Sequence, residues 1–304
     1  MSMSIYRAIR ASFLAVEKRE GIGGRVRRAI GVPKLRNLSP FVLLDQFIIP
    51  PGAGFPEHPH RGQETITYIL QGSLDHEDFT GNAGTIKAGD LQFMTAGRGI
   101  MHAEIPRPTA DGSATIGLQL WVDLPRQLKN VEPRYRDLRA SEIPTVVVDD
   151  GKVAVKVISG KSYGVDSVKD LAYTPVWILD VEIKPGGTFT QVIPDTWNAF
   201  TYTLDGTTNF VSSEEVLPIE QYHTVVFETT GRSVSARVPP DAKEGSCFIL
   251  IEGAPLDQEI VQYGPFVVNS LNEAKQAVTD FQLCQNGFER AQGWESDVGK
   301  KFRK

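Results

Sequence analysis

Cysteine is nearly absent: Cys247 and Cys284 are the only two in 304 residues. That excludes a disulfide scaffold and favours a reducing compartment. No apolar run approaches the roughly 18 residues that a membrane-spanning helix requires, so no membrane partner is expected. A net charge of −5 excludes a generic nucleic-acid coat, and no direct sequence-specific nucleic-acid contact is expected. Histidine is scarce as well, with five in the chain. What is abundant is apolar residue (41%) and turn residue (28 Gly, 19 Pro), which favours a buried core made of many short strands.

The charge is uneven. Arg7, Arg10, Lys18, Arg19, Arg25, Arg27, Arg28, Lys34 and Arg36 face only Glu17 and Glu20 within residues 1–36, so that segment carries +7 and the remainder −12. Glu17 and Glu20 interrupt the basic run, and Val26–Gly31 reads as a strand entering a turn, which argues against a transit peptide. The segment is a solvated basic face or a docking surface for an acidic partner.

At about 150 residues per domain the length predicts two domains, and an internal repeat supports this. Pro51-Gly52-Ala53-Gly54-Phe55 is echoed by Pro185-Gly186-Gly187-Thr188-Phe189, an offset of 134. The same offset aligns Thr67-Tyr68 with Thr201-Tyr202, Gly72 with Gly206, and Phe93, Thr95, Gly97 and Arg98 with Phe227, Thr229, Gly231 and Arg232. The expected division is 1–133 and 134–304, two copies of one β-domain of the sandwich or barrel class. Thr65–Leu70, Leu91–Met94 and Thr115–Val122 read as strands. One helix is expected near the end: Ser270-Leu271-Asn272-Glu273 is a capping box, Ala274, Ala277, Val278 and Phe281 follow at helical spacing, and Asn286-Gly287 reads as the stop.

His58-Pro59-His60 carries the strongest chemical signal. In an extended strand residues i and i+2 share a face, so two imidazoles converge. His102-Ala103-Glu104 repeats the geometry with an imidazole and a carboxylate. Three imidazoles and one carboxylate suit a divalent first-row metal: iron, copper, nickel or manganese. His76, within Asp75-His76-Glu77-Asp78, is expected at the surface, and His223 has no partner on its own strand. Adding 134 to the four positions gives Val192, Pro194, Ala236 and Val238, so the second copy is expected to keep the fold and lack the site.

Two segments resemble the paired motifs of the cupin superfamily. Gly52-x5-His58-x-His60-x3-Glu64-x7-Gly72 is similar to the first, with one extra residue before its last Gly. Gly89-x5-Thr95-x-Gly97 followed by His102 is similar to the second, with Thr where Pro is usual. More specifically, Glu20–Arg28, Phe55–Gly62, Met94–Glu104 and Asn286–Ala291 resemble the pirin family almost end to end. That resemblance implies a bicupin: two tandem jelly-roll β-barrels ending in a helix, with Fe2+ in the N-terminal barrel only. It implies the ligands His58, His60, His102 and Glu104. The ordinary cupin pattern would make Glu64 the fourth ligand, and strand parity does not decide between them; otherwise Glu64 would orient a ligand histidine.

For function the resemblance implies two roles. One is a quercetin 2,3-dioxygenase, taking a flavonol and dioxygen and releasing carbon monoxide, with Glu104 as general base and Phe47, Phe55, Phe93 and Met101 as apolar walls. The other is an iron-dependent, redox-sensing co-regulator that binds a Rel-family transcription factor, with the basic N-terminal segment as part of the docking surface. A monomer is expected.

Overall fold

The computed structural model describes residues 6–212 and 215–302. The chain forms two compact units, and each repeats one plan: a seven-stranded and a four-stranded antiparallel sheet, the two-sheet jelly roll of a cupin.

In the first barrel the large sheet runs Arg134–Leu138, Leu91–Thr95, Gln63–Gln71, Thr115–Asp123, Phe41–Ile49, Gly24–Ile30 and Glu17–Glu20. The small sheet runs Phe55–His60, Ile100–Pro106, Ser73–Asp78 and Ala83–Lys87. The strand Ser73–Asp78 alternates half-buried and buried residues along its length, the period-2 pattern of a strand with one face in the interior. Phe41–Ile49 is buried almost throughout, because it lies between neighbours on both sides within the large sheet.

In the second barrel the same two layers enclose packed phenylalanines. Phe189, Phe210 and Phe227 meet Phe248 or one another edge-to-face, at centroid distances of 5.2–5.9 Å. Leu179, Val181, Val234, Ala236 and Leu250 complete that interior, and all are buried. Each aromatic pair adds about 0.5–1.5 kcal/mol beyond its buried area. The second barrel therefore holds a solid core.

The repeat is real in topology, but its constant offset is not. Gly52 and Gly186 open the matching turns with φ of +79° and +78°. Further on the registers slip: Phe55 faces Glu104, whereas Phe189 faces Ala236, two residues short of the expected Val238. Val192 faces Ser233. The strands matching the ligand strands thus still present no imidazole or carboxylate.

The boundary at 133/134 is also corrected. Residues 6–15 join the second barrel, because Ile9–Leu14 adds to its large sheet beside His223–Phe227. Residues 256–302 return to the first barrel. The basic segment is accordingly divided. Arg7 is buried in the second unit, its guanidinium donating to the carbonyls of Trp197 (2.6 Å) and Pro194 (3.3 Å). In the first unit Arg25 and Arg27 pair with Glu17, Lys18 with Glu20, and Arg28 with Glu20 and Asp45.

The C-terminal helix spans Leu271–Gln282. Its capping box is formed: the Ser270 hydroxyl accepts from Glu273 N (3.2 Å), and Glu273 Oε2 accepts from Asn269 N (2.7 Å). It stops before Asn286-Gly287, because Cys284 turns left-handed at φ +50°. Asn286 and Gly287 serve elsewhere, as described below. No helix among the described residues is long and apolar enough to cross a membrane.

Candidate metal centre

The small sheet of the first barrel sets the two histidine-bearing strands side by side. His102 lies directly opposite His58, and Ile100 opposite His60. The strand Phe55–His60 holds one extra residue between Phe55 and His58 relative to its partner, a β-bulge. Bulges re-aim a side chain by bending the strand. Here the three imidazoles end with ligating atoms all within 4.8 Å of one another. His58 Nε2 and His102 Nε2 are 3.0 Å apart, and Glu104 Oε2 lies 3.9 Å from His102 Nε2.

Two of the rings have their tautomer fixed from behind. His58 Nδ1 donates to Pro56 O at 2.8 Å. His60 Nδ1 is 3.0 Å from the Gln63 amide, whose oxygen accepts from it while its nitrogen donates to Pro265 O and Arg61 O, both at 3.2 Å. Both contacts leave Nε2 as the lone pair facing the centre. Burial lowers the pKa of all three histidines, most strongly at His60 and His102, where neighbouring imidazoles add to it. They are neutral donors at pH 7. The buried His60 Nε2 has no hydrogen-bond partner among the described residues, which is the condition of a ligand atom awaiting a cation. The donor set fits a divalent first-row metal.

Glu104 is the carboxylate of this group. Burial raises its pKa from 4.5 to about 7, and its Oε1 lies 3.4 Å from the Thr67 hydroxyl, which also donates to Gln119 Oε1 at 2.5 Å. Because burial lowers the histidines, Glu104 is the group at the centre that competes most for protons near neutrality. Apparent metal affinity is expected to be flat above about pH 7 and to fall by up to about tenfold per pH unit below it. Metal titration from pH 5 to 8 checks this; a flat profile throughout would remove Glu104 from the ligand set.

Glu64 is placed elsewhere. Its carboxylate accepts from Thr95 Oγ1 (2.8 Å) and from the backbone N–H groups of Tyr173 (3.0 Å) and Thr174 (3.1 Å). It orients no histidine; Gln63 does that. Gln63 lies inside the first motif at one of its unspecified positions, and nothing in its spacing distinguishes it, since the contact depends on a carbonyl 202 residues away at Pro265. His76 corrects a second expectation. It is buried, not at the surface, with Nε2 3.3 Å from Asp137 and its ring stacked on Tyr135. The charged neighbours that suggested exposure alternate along a strand whose His76 face turns inward. His223 stays apart from the triad, its ring turned to the carbonyls of Glu220 and Gln221.

A cavity of about 530 Å³ opens on the centre. His58, His60 and Glu104 share its wall with Phe47, Phe55, Leu43, Ile49 and Trp121. Its polar edge includes Arg28, Asp45, Gln119 and Gln262. Of the four expected apolar walls, Phe47 and Phe55 line it. Phe93 is buried and does not line it, and Met101 packs instead with Phe79 and Phe288 on the cluster that carries the C-terminal helix.

Comparison with known proteins agrees with this architecture. The family description Pirin matches residues 23–122, and Pirin C-terminal cupin domain matches residues 178–287. Pirin of Homo sapiens is 44% identical over 298 residues, covering 98% of this chain and 100% of that protein. A pirin-like protein of Solanum lycopersicum is 45% identical over 283 residues, covering 93% and 94%. Among solved structures, quercetin 2,3-dioxygenase from Acinetobacter baumannii has a TM-score of 0.83 at 29% identity, covering 92% of this chain and 98% of that one. A bacterial pirin from Escherichia coli in complex with nickel(II) has a TM-score of 0.62 at 18% identity, covering 81% and 100%, and shares the fold. Two family matches, one per barrel, on a two-barrel structure in which, among the described residues, only the first barrel gathers a histidine triad, place this chain in the pirin family.

Proposed function

We propose that this chain is an iron-dependent flavonol dioxygenase of the quercetin 2,3-dioxygenase type, with His58, His60, His102 and Glu104 as the metal ligands. The observation that carries the reading is the convergence of three neutral imidazoles and one buried carboxylate on the wall of a largely apolar cavity. Its volume of about 530 Å³ lies within the range of roughly 300–1,000 Å³ typical of small-molecule sites. The similarity to a quercetin 2,3-dioxygenase supports the substrate class.

The bound metal would supply Lewis acidity, lowering the pKa of a substrate hydroxyl held against it. The protein's own groups do the rest. Phe47, Phe55 and Trp121 offer flat apolar surface to the planar rings of a flavonol. Glu104 is the carboxylate at the centre placed on the cavity wall to take the proton of the substrate's 3-hydroxyl. The Thr67 hydroxyl lies 3.4 Å from that carboxylate, within reach of a hydrogen bond to it. Burial keeps bulk water from competing for the same proton. The overall reaction adds both atoms of dioxygen to the flavonol, opens its central ring and releases one carbon as carbon monoxide.

The alternative, a co-regulator docking a transcription factor through the basic N-terminal segment, has less support here. Arg7 is buried, and Lys18, Arg25, Arg27 and Arg28 are already paired with acids. The deciding experiment is anaerobic loading with Fe2+ followed by quercetin in air. Loss of flavonol absorbance with release of carbon monoxide in equal amount is expected. An iron-replete chain that leaves quercetin intact would overturn the enzymatic reading.

A further inference from the structure

The strand Phe55–His60 carries two of the three histidines, yet it is an edge strand. Within its sheet it is hydrogen-bonded to one neighbour only, Ile100–Pro106. An edge strand with one supporting ladder is a loose platform for ligands that must be held within about 0.5 Å. At its end Arg61 Nε donates to Arg98 O at 2.6 Å, and several further ties lead to the C-terminal segment.

Each tie lands on a ligand's neighbour or on a ligand. Glu57, beside His58, accepts from Ser296 N (3.0 Å) and Ser296 Oγ (2.7 Å). Arg61, beside His60, donates to Asp280 Oδ2 (2.8 Å) and Asn286 O (2.6 Å), and its guanidinium lies 4.7 Å from the Phe288 ring centroid. Val267 N donates to Arg61 O at 3.0 Å. His60 itself reaches Pro265 O through Gln63.

The backbones meet so closely that side chains are excluded. A Cβ on Gly62 would lie 2.1 Å from Val267 O, and one on Gly287 would lie 2.5 Å from Arg98 O. The second ligand strand is held from the same side, since Gly99, just before it, would bring a Cβ to 3.0 Å from Phe288. The Asn286–Ala291 motif, which no chemistry of the centre uses directly, thus sits against the residue that ends the first of these strands and the loop that precedes the second.

We propose that the segment from Pro265 to Ser296 is a positioning clamp for the metal centre, with Asp280 acting through Arg61, Ser296 through Glu57 and Pro265 through Gln63. The inference rests on the metal-centre reading above. The clamp fixes where the imidazoles stand; its residues touch neither metal nor substrate.

The test uses the full chain and Co2+ as probe, because cobalt reports its ligand geometry in its visible spectrum. Asp280→Ala is expected to weaken Co2+ binding about 10–100-fold, the usual cost of outer-shell changes, and to alter the cobalt spectrum. Asp280→Asn keeps an acceptor for Arg61 and is expected to recover part of that loss. Ser296→Ala is expected to act in the same direction and replaces Asp280→Ala if that variant does not fold. Lys275→Ala, exposed on the same helix, serves as control. All are measured well below their melting temperatures. Unchanged affinity and spectrum in Asp280→Ala or Ser296→Ala, with only a lowered Tm, would show the segment to be mere scaffold and overturn the proposal. A wild-type chain that takes up no cobalt would overturn the metal-centre reading itself, and the clamp with it.

Discussion

His60→Ala is expected to leave the chain folded and nearly unable to hold metal. The substitution removes one of three converging imidazoles, and the one whose Nε2 has no other partner. Outer-shell changes cost about 10–100-fold in affinity, so loss of a direct ligand should exceed about 100-fold. Stability should fall much less. The His60 ring already borders a cavity, so its removal enlarges a void more than it creates one. The main structural loss is its contact with Gln63, on the order of 1 kcal/mol. The second barrel has its own filled core and is untouched. Metal-free wild type and variant should therefore melt within a few degrees of each other. Metal at 100 times its wild-type Kd should separate them by about 2.7 kcal/mol, because only the wild type binds it. Metal analysis and melting with and without Fe2+ check both halves. Full iron content in His60→Ala would defeat the ligand assignment.

How much of this was legible before the structure depends on the range of each interaction. The His58/His60 and His102/Glu104 pairs are local patterns, set by the two-residue period of a strand, and their convergence needed only that two strands be neighbours. The helix start at Ser270 is equally local, since its cap is made within four residues. What escaped were long-range choices. The exchange of residues 6–15 and 256–302 between the barrels depends on which sheet edge a strand meets, and no composition shift marks it. Gln63 and Arg61 gain their roles from partners more than 200 residues away. His76 reads as exposed because its immediate neighbours Asp75 and Glu77 point to the opposite face, whereas Asp78 is buried on the same face as His76. The offset of 134 was overextended because small register slips within a sheet leave the sequence looking aligned.

The same geometry separates the two acidic candidates, and a crossed pair of variants should show it. Glu104→Gln keeps size and polarity but removes the anionic donor beside His102. Metal affinity should drop sharply, its pH dependence near 7 should vanish, and turnover of quercetin should fall further, because the proton acceptor is gone as well. The fold should not suffer. Burial already disfavours the Glu104 carboxylate, so a neutral amide is no harder to bury, and above pH 7 the metal-free variant should be at least as stable as wild type. Glu64→Gln should do the reverse. Its two oxygens accept from two backbone N–H groups and the Thr95 hydroxyl, and an amide can meet those donors with one oxygen only. A buried N–H left without an acceptor costs about 1–3 kcal/mol, so Glu64→Gln should lower Tm while leaving metal affinity close to wild type. Measuring Kd for metal and Tm without metal on both variants gives four numbers with a crossed pattern. If Glu64→Gln loses metal and Glu104→Gln keeps it, the first barrel takes its fourth ligand from the ordinary cupin position, and the ligand set proposed here is wrong.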